Sequence, residues 1–180
     1  TVAKLSTTAP SVRAGAAHPP PAKAHARQNS YYRNVMPGFG NPPDQDPPPE
    51  LDWEMWLGPA PQRQYNPNRA IYHFRWFWDY SGGQMTNLGQ HSLDVVHWAT
   101  GVTAPKAVYS TGGRFFLKDN CEVPDTQDVI LEYPGFTTVC QYREATAGRE
   151  GAGMGGIVFY GTCGTLAVTR TGYEVFPDAK

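Results

Sequence analysis

The residues best spaced to do chemistry lie in "SGGQMTNLGQHSLDVVHW", residues 81–98. At about 100° per residue, Asn87, His91, Asp94 and Trp98 fall on one stripe of a helix. A carboxamide four residues before a histidine can hydrogen-bond its imidazole or share a ligand with it. Asp94, three residues further on, can hold the imidazole from the other side or brace a neighbouring loop. Gly82 and Gly83 stand at the helix entry, where the lack of a Cβ lets another backbone or a ligand come close. Two readings of the stripe are open, a solvated helix face and the wall of a site. Trp98 weighs toward the second, because exposed tryptophan is uncommon.

The element that must position these residues is a helix predicted over 84–99. Met85, Leu88, Val95, Val96 and Ala99 share its other face, with the small Ser92 among them. Thr100-Gly101 supplies the stop signal. Downstream the hydrophobic period changes from helical to two. "PKAVYSTGG" and "QDVILEY" read as strands, the second with Val129, Leu131 and Tyr133 on one face. Pro134-Gly135 makes a turn, and "FTTVCQYR" then alternates Phe136, Thr138, Cys140 and Tyr142 against Thr137, Val139 and Gln141. "GIVFYGT", "GTLAVTR" and "GYEVF" follow with short glycine-bearing turns. A helix-bearing part followed by a meander predicts an α+β fold, an open and mainly antiparallel β-sheet flanked by helices.

The part before the helix is different. Residues 1–30 are rich in Ala, Pro, Ser and Thr, and no acidic residue precedes Asp44. They read as a flexible basic arm. Residues 37–67 hold nine of the 17 prolines, so a long regular element is excluded there. Yet Trp53, Met55, Trp56 and Leu57 lie in this Pro/Trp-rich irregular segment. Such a segment is expected to wrap a globular surface and bury its rings, either as an extended cover or as a substrate-facing loop.

The totals set outer bounds. At 180 residues, 40% of them hydrophobic, the chain is long enough for one domain with a core. A net charge of −1 gives no basis for charge-driven binding to nucleic acid or an anionic membrane. No apolar run approaches the ~20 residues of a membrane span. Cys121, Cys140 and Cys163 are odd in number and form no CxxC pair, which speaks against a disulfide framework or a zinc site. Reduced, buried thiols and a cytoplasmic location are expected. The chain opens on Thr1 rather than Met, and an upstream segment is expected.

"GAGMGG", residues 151–156, fits the GxGxxG pattern literally. A dinucleotide fingerprint requires a strand before it and a helix after it, whose N-terminus holds the pyrophosphate. Here "IVFYGT" follows, a strand pattern, and no acidic residue lies about 20 positions on. The glycines are read as a hairpin loop, with no cofactor-binding residue assigned in this chain.

"LDWEMWLGPAP", "NPN", "FRWFWDYSGGQMTNLGQHSLDVVHW" and "DNCEVPDTQDVILEYPGF" together resemble the C-terminal half of Gfo/Idh/MocA-type oxidoreductases, the family of glucose–fructose oxidoreductase and inositol dehydrogenase. The resemblance covers roughly residues 31–180, and residues 1–30 fall outside it. It implies a substrate-binding and oligomerisation domain, paired with other copies through the sheet face. It also implies NAD or NADP as cofactor, bound by a Rossmann domain that this chain lacks, and a sugar or polyol as substrate. Some members of the family cleave glycosides through transient oxidation with the same cofactor. The family's helix motif, Asp-x-x-x-His, carries the proton-exchanging histidine onto His91 and the acidic position onto Asn87. An asparagine can orient an imidazole but cannot place a negative charge beside its protonated form. The family's Glu-Lys-Pro lysine has no counterpart here. A neutral imidazole, with an unperturbed pKa near 6.5, suits removal of a hydroxyl proton at neutral pH.

Arg75, Asp79 and Trp78, just before the glycines, are candidate sugar contacts beside Asp94. Aromatic rings stack on the C–H faces of sugars, and charged groups bind hydroxyls. The alternative for these residues is core packing and a structural ion pair. His73 and His97 are read as structural. No metal site is expected. Two further readings stay open, a glycoside-cleaving enzyme and a non-catalytic sugar-binding or scaffold module.

Overall fold

In the computed structural model, residues 38–144 and 156–177 are described in full, together with the backbone of residues 23–28. The strands are β1 (Lys23–Gln28), β2 (Ala107–Gly113), β3 (Thr126–Tyr133), β4 (Phe136–Arg143), β5 (Gly156–Gly161), β6 (Gly164–Val168) and β7 (Tyr173–Pro177). They form one sheet in the order β2-β3-β4-β1-β5-β6-β7. Only β1 and β4 run parallel; the other neighbours are antiparallel. The helices are α1 (Trp53–Leu57) and α2 (Gln90–Thr100), so the architecture is α+β with an open sheet, as the sequence predicts.

β1 falls inside the 1–30 stretch read as a flexible arm. "KAHARQ" contains no β-branched or aromatic residue, and its place in the sheet comes from pairing with β4 and β5, both distant in sequence. The rest of that stretch lies outside the described residues.

Period-two burial appears where the sequence places it. Val129, Leu131 and Tyr133 of β3, and Phe136, Cys140 and Tyr142 of β4, are buried on the face that α2 covers. Ile157 and Phe159 of β5 and Val96 of α2 complete this core. Burial of this kind stabilises by about 25 cal/mol per Å² of apolar surface removed from water. Cys121 and Cys140 are buried free thiols, and burial pushes that of Cys140 up to about 11. Cys163, in contrast to expectation, is exposed in the β5–β6 turn.

The helix differs from its predicted form in one respect. Residues Met85–Gly89 make a π turn that runs directly into α2. A π turn holds an extra residue, so a face projected at 100° per residue slips by about one position across it. Leu93, Val96 and His97 therefore face the sheet with Met85, while Ala99 turns outward. His97 is structural as expected: its Nε2 lies 2.7 Å from Tyr133 Oη. Gly101, with φ 72°, caps the end through its N–H on the His97 carbonyl, 2.8 Å.

A second core joins the Pro/Trp-rich segment to the β2–β3 loop. Trp76, Phe77, Cys121 and Val123 are buried together, with Phe39 and Tyr80 against them. Asp52 caps α1 by accepting from Met55 N–H at 2.9 Å. Trp53 and Trp56 stack at 4.8 Å, and Trp56 meets Tyr80 edge-on. The rings are thus half-buried against one another rather than sunk in the main core.

Gly89 makes the sharpest test of this packing. A Cβ there would lie 2.2 Å from Tyr142 Oη and 3.1 Å from its ring. Gly→Ala inside a helix ordinarily stabilises by up to about 1 kcal/mol. Here Gly89→Ala is expected to destabilise by about 1–3 kcal/mol through overpacking, read by urea denaturation. The penalty should shrink in a Tyr142→Phe background. A gain in stability from Gly89→Ala alone would show that the close approach does not exist.

Candidate functional site

The predicted site residues separate into three places. The first is the head of the π turn. Arg75 Nε donates to Asn87 Oδ1 at 3.1 Å, and its guanidinium lies 4.4 Å over the Tyr72 ring and 4.9 Å over Phe74. Its Nη1 donates to the Tyr72 carbonyl. The Asn87 amide donates in turn to Gln84 Oε1, 3.3 Å. Asn87 is therefore turned toward Arg75 and Gln84, and no hydrogen bond joins it to His91. The π turn explains this: the extra residue breaks the i,i+4 alignment that the sequence assigns to the pair. Gly83, with φ 69°, donates to the Arg75 carbonyl and packs on Val123, where a Cβ would come within 2.9 Å. Trp78, 57% exposed, borders Gly82 on this side.

The second place holds Asp79. Its carboxylate takes hydrogen bonds from Arg63 and, at 3.1 Å, from Arg69. Arg69 also bonds Glu122 at 2.9 Å and sits 4.5 Å over the Phe77 ring. The hydrogen bond from Arg63 holds the Asp79 carboxyl below the usual carboxylate range, against a burial penalty that acts the other way. This is the ion-pair arrangement that the sequence leaves as the alternative to sugar contact. It pins the 63–80 segment to the β2–β3 loop.

The third place is the exposed face of α2. His91, Asp94 and Trp98 all point outward, and Trp98 is 86% exposed. Among the described residues Asp94 makes no ion pair. His91 borders a hollow of about 200 Å³ between α2 and the sheet. From α2 the hollow is lined by His91, Ser92 and Val95. Ile157 and Val168 form its sheet side, and Thr169 and Arg170 of the β6–β7 turn close the end. Neither Arg75 nor a tryptophan lines it.

Arg170 and Thr169 escape the sequence analysis because "VTRTG" looks like an ordinary turn. A signal was present in the spacing of Thr169, Thr171 and Gly172. Thr169 Oγ1 lies 3.1 Å from Thr171 Oγ1 and donates to the Gly172 carbonyl at 3.1 Å, while Thr169 N–H donates to that same carbonyl at 2.8 Å. The turn is locked by its own side chains.

Two further carboxylates organise the β2–β3 loop. Asp125, fully buried, accepts from Phe115, Phe116 and Leu117 N–H. Burial raises its pKa, but these backbone hydrogen bonds more than offset that and hold it low. Asp119 accepts from Arg114 at 2.8 Å and from Phe39 N–H. No group of three or more potential metal ligands occurs among the described residues. No helix there is long and apolar enough to cross a membrane.

The GxGxxG glycines do not fit a dinucleotide. Gly151 and Gly153 lie outside the described residues, and Gly156 opens β5, so the element that follows is a strand. The dinucleotide fingerprint needs a helix N-terminus after its glycines, and the described element that follows here is β5.

Residues 31–109 match the Gfo/Idh/MocA model described as "Oxidoreductase family, C-terminal alpha/beta domain". Solved structures extend the fold likeness over most of the chain. The WlbA dehydrogenase from Bordetella pertussis, in complex with NADH and UDP-GlcNAcA, matches at 16% identity and TM-score 0.52, covering 89% of this chain and 39% of its own. A levoglucosan dehydrogenase, in complex with NADH and levoglucosan, gives 11% and 0.57, covering 89% and 37%. An NAD binding oxidoreductase from Klebsiella pneumoniae gives 16% and 0.55, covering 89% and 37%. The chain thus spans under two fifths of the length of each. No curated protein matches it.

The depressed groups fix the sign of the pH response. Burial, aided by Arg75, lowers the His73 pKa from 6.5, and Asp79 and Asp125 are also lowered in the folded state. Each contributes stability that is present above its unfolded value and lost as pH falls through the folded one. The thermal midpoint is expected to fall on acidification, first below about pH 6.5 through His73 and again below about pH 4 through the two aspartates. A midpoint that rises on acidification would contradict these assignments.

Proposed function

We propose that this chain is the substrate-binding half of an NAD(P)-dependent oxidoreductase acting on a sugar or polyol hydroxyl. The observation that carries the reading is the match of residues 31–109 to the oxidoreductase C-terminal domain, together with His91 on the rim of a hollow walled by the sheet. Two structures sharing the fold hold NADH with a sugar-type ligand, which supports the substrate class. The nicotinamide, which takes up the hydride, is assigned to a domain outside this chain.

In this reading His91 accepts the hydroxyl proton as the carbinol carbon is oxidised. Its exposed imidazole is free to reach a ligand on the open side of α2. Asn87 acts by fixing the Arg75 fork rather than by orienting His91. Trp78 offers a ring face to the C–H side of a sugar, and Asp94 a hydroxyl acceptor further along the helix. The separation of Asn87 from His91 favours a second reading, a non-catalytic sugar-binding module, since no hydrogen bond from another described residue holds the imidazole in one tautomer.

Protein carrying this chain and its cofactor domain is expected to reduce NAD or NADP on a panel of sugars and polyols. His91→Ala should lower turnover by ~10²–10⁴. An unchanged rate would remove His91 from the mechanism, and sugar binding without turnover would favour the non-catalytic module. Release of an aryl group from glycosides without accumulated NAD(P)H would identify the glycoside-cleaving reaction. Micromolar binding of NADH by the isolated chain would overturn the assignment of the cofactor to another domain.

Pairing of copies through the sheet belongs to the same proposal. Tyr109, Ile130, Val139, Val158 and Ala167 lie on the face away from α2, partnered strand to strand on either side of β1. Tyr109 and Ile130 are 59% and 42% exposed. Ile130→Glu is expected to shift a dimer toward monomer in sedimentation velocity. An unaltered dimer would place the contact elsewhere.

A further inference from the structure

The hollow beside His91 carries a chemical bias of its own. Its floor is apolar, formed by Val95, Ile157 and Val168, which suits the C–H face of a ring. Among the described residues its rim carries a guanidinium, an imidazole and two hydroxyls, from Arg170, His91, Ser92 and Thr169, and no acidic group. Arg170 is exposed and makes no hydrogen bond to any other described residue. The turn that presents it is held by the Thr169 bonds to Thr171 and Gly172. At about 200 Å³ the hollow is smaller than the ~300–1,000 Å³ of sites for drug-sized ligands and suits a single ring.

We propose that this hollow binds an anionic monosaccharide unit, with Arg170 as the residue that selects its carboxylate or phosphate. A guanidinium offers two parallel N–H donors to either group, and such charge-assisted pairs are roughly twice as strong as neutral hydrogen bonds. The ring would lie over Val95 and Val168, its charged group on Arg170 and a hydroxyl toward His91. This deepens the reading in which His91 serves a sugar, and adds a charge requirement to it.

The test uses the 180-residue chain with three probes: D-glucuronate, glucose 6-phosphate and glucose. Binding is followed by calorimetry and by NMR shifts at His91, Ser92 and Thr169. One or both anionic sugars are expected to bind at least about tenfold more tightly than glucose and to shift those signals. The two anionic probes distinguish carboxylate from phosphate. Arg170→Gln, on an exposed turn, should erase the preference. Equal binding of all three sugars, or a preference that survives Arg170→Gln, overturns the proposal. So do shifts confined to Trp78 and Arg75. Arg170-dependent binding of an anionic sugar that the complete enzyme does not oxidise would sink the oxidoreductase reading and leave this site standing. Turnover by the complete enzyme with no preference for anionic over neutral sugars would do the reverse.

Discussion

Gly89 sits so close to Tyr142 that no side chain fits between them. That contact seats the π turn on the sheet, and the turn sets the rotation of α2 about its own axis. One residue more or less in the turn would roll the helix by about 100°. Val96, now fully buried, would leave the core, and His91 would leave the rim of the hollow. The core under α2 and the position of His91 above it are therefore two consequences of one packing constraint.

The segment that leads into this helix is held mainly by polar bonds. Asn66 and Asn68 of "NPN" bond Asp44, Asn120 and the Gly40 carbonyl, all within 3.2 Å. Arg63, Arg69, Asp79 and Glu122 form a linked ion-pair cluster, with Trp78 N–H on Glu122 at 2.9 Å. A proline-rich chain has few helix or strand bonds to offer, so side chains must satisfy its backbone. This is why so many charged and amide groups of 63–80, Asp79 among them, are committed to structure. The aromatic stack of Trp53, Trp56 and Tyr80 adds the apolar part of the same seam.

What was legible in the sequence follows from these forces. The meander could be read residue by residue, because period-two burial in β3 and β4 is a local pattern enforced by one covered face. The helix and its glycine stop were legible for the same reason. The phase of the helix was not, since the π turn depends on Tyr142, which approaches from another strand. β1 was not, because a strand without β-branched residues owes its place to its two neighbours. His91 could be singled out from its spacing and from a resemblance to oxidoreductases, but its neighbour Arg170 lies 79 positions away and meets it only through the fold. Asn87 shows the converse hazard, a residue at the right spacing whose hydrogen bonds go elsewhere.

The central claim is that the phase of α2 brings His91 and Arg170 to one sugar-sized hollow. A crystal structure of the protein grown with a sugar carboxylate tests it most directly. The account predicts the ring on Val95 and Val168, its carboxylate on the Arg170 fork and a hydroxyl at hydrogen-bond distance from the His91 imidazole. A sugar seated instead on Trp78 and Arg75, with His91 and Arg170 untouched, would contradict it.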